Sequence, residues 1–433
     1  MILKDKLAAR LPHWRDRARS LISQHGDVQI DTVSLSQVYG GMRSVKALVT
    51  DISYVDPQEG IRLRGFTVSE VLDKLPKPNP DAMPYVGGLY YLLLVGELPT
   101  VEEALEVEAE WRKRDRIPAH VFEVLKAMPR DTHPMTMFSQ AVLALQPESI
   151  FARRYQEGIA REDQWEAMLE DSLNLTSKLP VIAAYIYSLK YRDGEFHPPD
   201  PELDLGANFA HMMEIKDAEY QDLSRLYFIL HSDHESGNAS AHATHLTAST
   251  LADIYYAFSS GLNSLAGPLH GLANQECLRW LLGIYEEFGG VPTEEQVRAY
   301  AWDTLNRGQV IPGYGHAVLR RPDPRYSAQL EFARKHLPDD EIFQIANMVY
   351  EIVPEVLQEQ GKAKNPWPNV DAISGTLQQH YGVDNYDFYT VMFGVGRALG
   401  VTANAVWARA LGLPIERPKS LTTKMFEEKV SGG

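Results

Sequence analysis

Gly267-Pro268-Leu269-His270-Gly271-Leu272-Ala273-Asn274-Gln275-Glu276 joins a stiff, glycine-flanked turn to an amphipathic run. Pro268 restrains the turn, and the residues after His270 carry the apolar spacing of a helix. The segment therefore predicts a loop that delivers His270 to a helix N-terminus. The positive end of a helix disfavours imidazolium, so a histidine placed there stays neutral and donates a hydrogen bond. Helical signals continue on both sides. Thr100-Val101-Glu102-Glu103 and Thr293-Glu294-Glu295-Gln296 are capping boxes. Asp217 is the expected N-cap of a helix running through Tyr220–His231, without a full box because Tyr220 stands where Glu or Gln is needed. Strand signals reduce to one pair, Val45–Asp51 and Gly60–Phe66, joined by a turn around Asp56–Gly60. Arg192–Gly206, with Asp193-Gly194 and Pro198, Pro199 and Pro201, reads as a connection. No repeat of fixed period argues for a solenoid. The fold expected is mainly α with one minor β element near the N-terminus.

The 433 residues allow about three domains of ~150 residues, or two large ones. Hydrophobic residues at 44% and charged residues at 23% are the mix of a globular protein. One cysteine, Cys277, excludes an intrachain disulfide framework and any multi-cysteine metal site. The 42 basic residues against 58 acidic ones leave −16, which argues against nucleic-acid binding, a function that draws on clustered Lys and Arg. No apolar run approaches the ~18 residues of a membrane span; the longest, around Tyr90–Val95, is expected in the core. Met1–Ser23 is rich in Lys and Arg like a mitochondrial presequence. Asp5 and Asp16, with Leu3, Leu7 and Leu11 at helical spacing, favour a first structural helix instead.

Three further signals need separate readings. Asn238–Gly261 begins with an N-cap residue and is dense in Ala, Ser and Thr. It fits either a close helix–helix contact, including one between subunits, or an ordinary internal helix. Gly394, Gly396 and Gly400 invite a dinucleotide-binding reading, but the spacing is one residue too long for the fingerprint; a buried helix with close-packed glycines fits better. His231, Asp233, His234, Glu235, His242 and His245 resemble a metal cluster, yet H-E-x-x-H is absent and Ser236-Gly237 separates the pairs. A neutral-histidine substrate site or capped helix ends fit that group better than a metal.

Two more segments concentrate reactive residues. Val310-Ile311-Pro312-Gly313-Tyr314-Gly315-His316 places two glycines where backbone could approach a flat ligand, and His316 and Arg325 offer a polarising donor and a carboxylate clamp. Gln360–Asp371 holds Lys362 and Lys364 for phosphates, a rigid Pro366-Trp367-Pro368 turn, and Asp371 as a candidate general base. Each segment alone also reads as capped helix ends, solvated lysines and a turn aspartate. Together they suggest an anionic carboxylate substrate and a phosphate-bearing cofactor.

At this level of detail the chain closely resembles the citrate synthase family, in its mitochondrial-type branch. The resemblance is carried by Tyr39–Arg43, Gly60–Gly65, Ser232–Glu235, Gly267–Glu276, Pro312–Arg320, Asp323–Tyr326, Lys364–Asp371, Arg397–Gly400 and Glu416–Ser420, long ungapped matches over most of the length. It implies an almost all-α homodimer. Residues 1–270 and 384–433 would form a large domain and 271–383 a smaller inserted one, closing over the substrates. It implies His270, His316 and Asp371 as catalytic residues. Asp371 would take a methyl proton from acetyl-CoA while His270 stabilises the charge developing on the thioester oxygen. His316 would polarise the ketone of oxaloacetate. His234, His316, Arg325 and Arg397 would bind oxaloacetate or citrate, joined by Arg417 reaching across the dimer interface. For CoA it implies Arg43, Arg161, Val310, Ile311, Gly313, Tyr314, Gly315, Lys362, Lys364 and Asn369. It implies no permanently bound cofactor and no metal, with acetyl-CoA as co-substrate.

Three residues depart from the family pattern: Ile373 where His is usual, Gly396 where Ser is common, and Ser236 in place of Gly. None removes a catalytic group, and the first two bear on substrate preference and kinetics. Two other readings stand beside citrate synthesis. One is 2-methylcitrate synthesis from propionyl-CoA, a difference of one methylene, ~1–3 kcal/mol. The other is a non-catalytic dimeric paralogue; a nicotinamide dehydrogenase is a distant third. The matches start near the chain start, so the expected setting is the cytoplasm of a bacterium or, for a processed eukaryotic form, the mitochondrial matrix.

Overall fold

A computed structural model describes residues 1–315, 318–363 and 365–431 and is mainly helical. The N-terminal apolar spacing does build a helix, Ile2–His25, whose Leu3, Leu7 and Leu11 are buried. The helix packs on Val86–Val95 and Val101–Arg112, and Glu106 accepts from its first two free amides, those of Ile2 and Leu3. Both capping boxes form as read, at Thr100 and Thr293. Asp217 occupies the N-cap position of Ala218–Leu230, but its side chain makes no cap hydrogen bond. The connection after Gln164–Tyr191 ends sooner than expected, because Asp204 caps a helix beginning at Leu205.

The β element needs one correction. β1 is Ser53–Asp56, β2 Gly60–Leu63 and β3 Phe66–Thr67, an antiparallel sheet in that order with Asp56 opposite Gly60 and Ser53 opposite Leu63. The sequence signal puts the first strand at Val45–Asp51, and the strand lies beyond it. Asp56 Oδ1 accepts from the amides of Gln58 and Glu59, so the turn is short and the ladder must start at its edges. The alternation of Ser53 and Val55 inward with Tyr54 outward then satisfies a half-buried strand. Val49, inside the segment that carries the strand signal, is 73% exposed.

The core is organised around Val86–Val95, Gln164–Tyr191 and Tyr389–Ala410, helices buried on nearly every side. The last two pack along each other. Tyr386–Ala410 reaches membrane-spanning length and composition, against the expectation that no run approaches it, but 89% of its apolar window is buried inside the protein. Ala239–Ser249 and Ile254–Leu265 make the close contact suggested by their small residues. A Cβ on Gly261 would stand 2.1 Å from Thr244 Oγ1. Glycines of the Tyr389–Ala410 helix serve the same end: a Cβ on Gly400 would lie 2.5 Å from both Asp233 Cβ and the Ser232 carbonyl oxygen. They seat the His231–Glu235 turn directly on the helix that carries Arg397. The helices Ala273–Phe288, Pro324–His336, Glu341–Gln360 and Asp371–His380 pack chiefly on one another.

Candidate active site

His270 sits in the turn before Ala273–Phe288, as the first segment predicts, but the helix N-terminus it meets belongs to Ala239–Ser249. The Ser240 amide donates to His270 Nε2 at 3.2 Å, and Ser240 Oγ lies 2.8 Å from the same nitrogen. An amide can only donate, so Nε2 is the acceptor and the neutral ring carries its proton on Nδ1. Burial, aided by the charge of Arg397, pushes the imidazole down to about 4. The expected neutral histidine is there. Its main cause is desolvation and a neighbouring cation rather than its own helix.

The second and third segments are laced together. Tyr314 pairs with Pro368 in an isolated antiparallel bridge. The Gly315 amide donates to Trp367 O at 3.0 Å, and the Asn369 amide to Gly313 O at 2.9 Å. Asn369 Nδ2 completes the set on Gly315 O. Gly313 adopts φ +79°, and a Cβ there would stand 2.8 Å from Ala372 Cα. Glycine is needed for both reasons. This lacing fixes the start of Asp371–His380, with the Asp371 amide held by Asn369 Oδ1 at 2.9 Å. Burial raises the Asp371 carboxyl to about 6, while the charges of Arg325 and Arg397 oppose the rise.

Both arginines are buried. Arg325 is gripped by Asp323, Nη2 to Oδ2 at 2.7 Å, in the first turn of Pro324–His336. Arg397 donates from Nε to His231 O at 3.2 Å and from Nη1 to Ser240 Oγ at 3.4 Å, with its guanidinium 4.9 Å over the Phe393 ring. Burial pulls even this guanidinium down to about 10. Ser240 thus links Arg397 to His270. His231 is buried, stacked on Tyr227 at a centroid distance of 4.0 Å, with a ring nitrogen 2.8 Å from Tyr227 O. Among the described residues the His231–His245 group is not one whose ligand atoms converge, and His242 instead reaches Glu416. His234 lies on the half-buried turn beside them.

The sequence singles out His270, Asp371, Arg325 and Arg397, and the structure groups them around Arg397: Ser240 ties it to His270, and its charge acts on Asp371 together with that of Arg325. Reading the sequence misses Ser240 and Asp323 as their partners. Ser240 is visible only as one small residue among many, and Asp323 only as part of a longer motif. His316 and Lys364 lie outside the described residues. Lys362 and Val310 are exposed, and Ile311 is buried. Arg43, Arg161 and Arg417 are exposed. Arg161 bonds the Gly412 carbonyl, just past the end of the Tyr389–Ala410 helix, whose last residue is about 20 Å of helical rise from Arg397. Arg417 follows Glu416, whose amide is held by Ser249.

A helical protein that buries two arginines beside a neutral histidine and a carboxylate of raised pKa has the site of an acid–base enzyme acting on an anionic substrate. Comparison with known proteins narrows this class. The family model described as "Citrate synthase, C-terminal domain" matches residues 41–419. The "Probable citrate synthase, mitochondrial" of Glossina morsitans morsitans is 50% identical over 429 residues, covering 99% of this chain and 92% of that protein. The solved citrate synthase of Pyrobaculum aerophilum superposes with a TM-score of 0.77 at 28% identity, covering 92% of this chain and 96% of the other. That of Thermoplasma acidophilum, solved as a ternary complex with carboxymethyl coenzyme A and oxaloacetate, gives 0.74 at 21% identity over 90% and 97%, a likeness of fold. The chain belongs to the citrate synthase family.

Proposed function

We propose that the chain condenses acetyl-CoA with oxaloacetate and hydrolyses the resulting citryl-CoA to citrate and CoA. The observation that carries this reading is that Arg397 lies beside both Asp371, raised to about 6, and a neutral His270 whose ring proton is on Nδ1. Asp371 Oδ takes a proton from the acetyl methyl group. Nδ1–H of His270 donates to the thioester oxygen as electron density moves onto it. Without that donor a carboxylate is too weak a base for the step. The enolate carbon then attacks the ketone carbon of oxaloacetate, the C=O π pair moves onto its oxygen, and that alkoxide takes up one proton, balancing the one Asp371 removed from the methyl group. By the family resemblance His316 polarises that ketone, and His234, Arg325 and Arg397 hold the substrate carboxylates. Water then attacks the citryl thioester carbon, and CoA leaves as the thiol.

Val310–Gly315, Lys362, Lys364 and Asn369 make the CoA lip in this reading, and Arg43 and Arg161 contact it from further away. Acetyl-CoA is a co-substrate, with no resident cofactor. The active unit is a homodimer in which Arg417 completes the neighbouring site. Exposed apolar side chains near both ends of the chain support it, among them Ile30 at 71%, Val49 at 73% and Ile415 at 56%. Residues 1–270 with 384–433 and residues 271–383 are the two domains of the cleft. Supporting a hinge at Gly271, its carbonyl accepts from Thr390 Oγ1 where the two parts meet. The mitochondrial names of relatives support a matrix setting if the host is eukaryotic.

The test is release of CoA thiol with oxaloacetate, acetyl-CoA and propionyl-CoA compared at matched concentrations. Preference for acetyl-CoA is expected. Preference for propionyl-CoA would move the assignment to methylcitrate synthesis, and release with neither from folded protein would refute the catalytic reading.

A further inference from the structure

The β1–β2 hairpin touches both halves of the oxaloacetate site. At its open end, Ser53 Oγ donates to Asp233 Oδ2 at 2.7 Å and accepts from the Glu235 amide at 2.8 Å. The Val55 amide donates to Glu235 Oε1 at 2.7 Å. These bonds hold the turn that carries His234 and lies against the Arg397 helix. At its tip, the Pro57 carbonyl accepts from the Arg320 amide at 2.7 Å. Gly60, at φ +85°, lies so close to Pro324 that a Cβ would stand 2.3 Å from Pro324 Cδ and 2.4 Å from Cγ. Pro324 is the first residue of its helix, between Asp323 and Arg325. The loop from Leu319 to Asp323 runs past the tip between these two contacts.

We propose that this hairpin is a positioning clamp: its tip fixes Arg325 through Arg320 and Pro324 while its base fixes His234 through Asp233 and Glu235. The inference rests on the oxaloacetate-binding reading above. Five backbone or side-chain attachments from one short hairpin bridge segments 80 residues or more apart. The clamp sets the distance between groups that grip opposite parts of one small ligand. Small misplacements of such groups are costly for rate.

The hairpin supplies its own control. Gly65 also has positive φ, +89°, but nothing lies within 4 Å of where its Cβ would be. Gly60→Ala and Gly65→Ala therefore impose similar backbone strain, and only the first drives a methyl group into Pro324. Pro324→Ala removes Cγ and Cδ, the two clashing atoms. Steady-state kinetics should show Gly60→Ala losing at least about tenfold in kcat/KM for oxaloacetate relative to Gly65→Ala. The double variant Gly60→Ala/Pro324→Ala should recover most of that loss at unchanged Tm. Hydrogen exchange gives a readout that needs no turnover: the Arg320 amide should lose protection in Gly60→Ala and keep it in Gly65→Ala. Equal kinetics and equal Arg320 protection in the two single variants would overturn the clamp. Wild-type protein inactive with every acyl-CoA would sink the functional reading instead, and the exchange comparison would still decide the clamp.

Discussion

Replacing Asp371 by Asn should cost activity and raise stability, and the two effects should separate with pH. The side chain goes from an ordinary 3.8 to about 6 on folding because burial outweighs the attraction of Arg325 and Arg397. A carboxyl with a raised folded pKa binds its proton more tightly folded than unfolded. Ionised Asp371 therefore opposes folding above the folded value, the penalty shrinks as pH falls from 6 towards 3.8, and it is gone below that. A rise of that size corresponds to about 3 kcal/mol at pH ~7.5, an upper bound for what the neutral isostere recovers. Removing the general base should lower kcat by roughly 10²–10⁴-fold. Urea unfolding of wild type and Asp371→Asn at pH ~7.5 and pH ~4.5, with thiol-release assays on the same samples, checks both. The midpoint of the variant should exceed wild type at the higher pH and approach it at the lower. A less stable variant near neutral pH would refute the burial argument, and near-normal turnover would refute the base assignment.

Three further outcomes are expected. In wild type, kcat/KM should fall below pH ~6 as Asp371 protonates, with no limb near 6.5 from His270, because that ring is already neutral down to about 4. His270→Ala should keep oxaloacetate binding by calorimetry while losing about 10²–10³ in kcat, the usual cost of one oxyanion donor. Gly261→Ala should destabilise by about 1–3 kcal/mol through overpacking, with Thr244→Ala relieving part of it in denaturant titrations, since Thr244 Oγ1 is the nearest clash at 2.1 Å.

Most helices are legible in the sequence because their signals are local. Capping boxes at Thr100 and Thr293, and the leucine spacing of Ile2–His25, specify elements without reference to the rest of the chain. β1 is misplaced by such reading because the β-forming residues of Val45–Asp51 outweigh those of Ser53–Asp56 locally. Only the short turn and the pairing with β2 decide the register. The site divides along the same line. His270, Asp371, Arg325 and Arg397 stand in motifs dense with reactive residues. Ser240 acquires its role from a loop 30 residues away, and Asp323 from the orientation of a guanidinium. Neither partnership has a signature in composition or spacing.

Burial acts on the two reactive groups in opposite chemical senses and to one end. Desolvation favours the uncharged form of each, so it lowers His270 and raises Asp371. A neutral imidazole is a poorer acid than imidazolium, but as a donor to a developing oxyanion it is not exhausted by giving up a proton outright. A carboxylate raised to about 6 is a stronger base than one in water and still ionised at neutral pH. The same desolvation, acting alone, would raise Asp371 further. Arg325 and Arg397 oppose it, and both are held by neighbours, Asp323 and the His231 carbonyl. The arginines assigned to the dicarboxylate thus also keep the base ionised. In the proposed reaction, oxaloacetate bound beside them would neutralise part of that field and make Asp371 more basic.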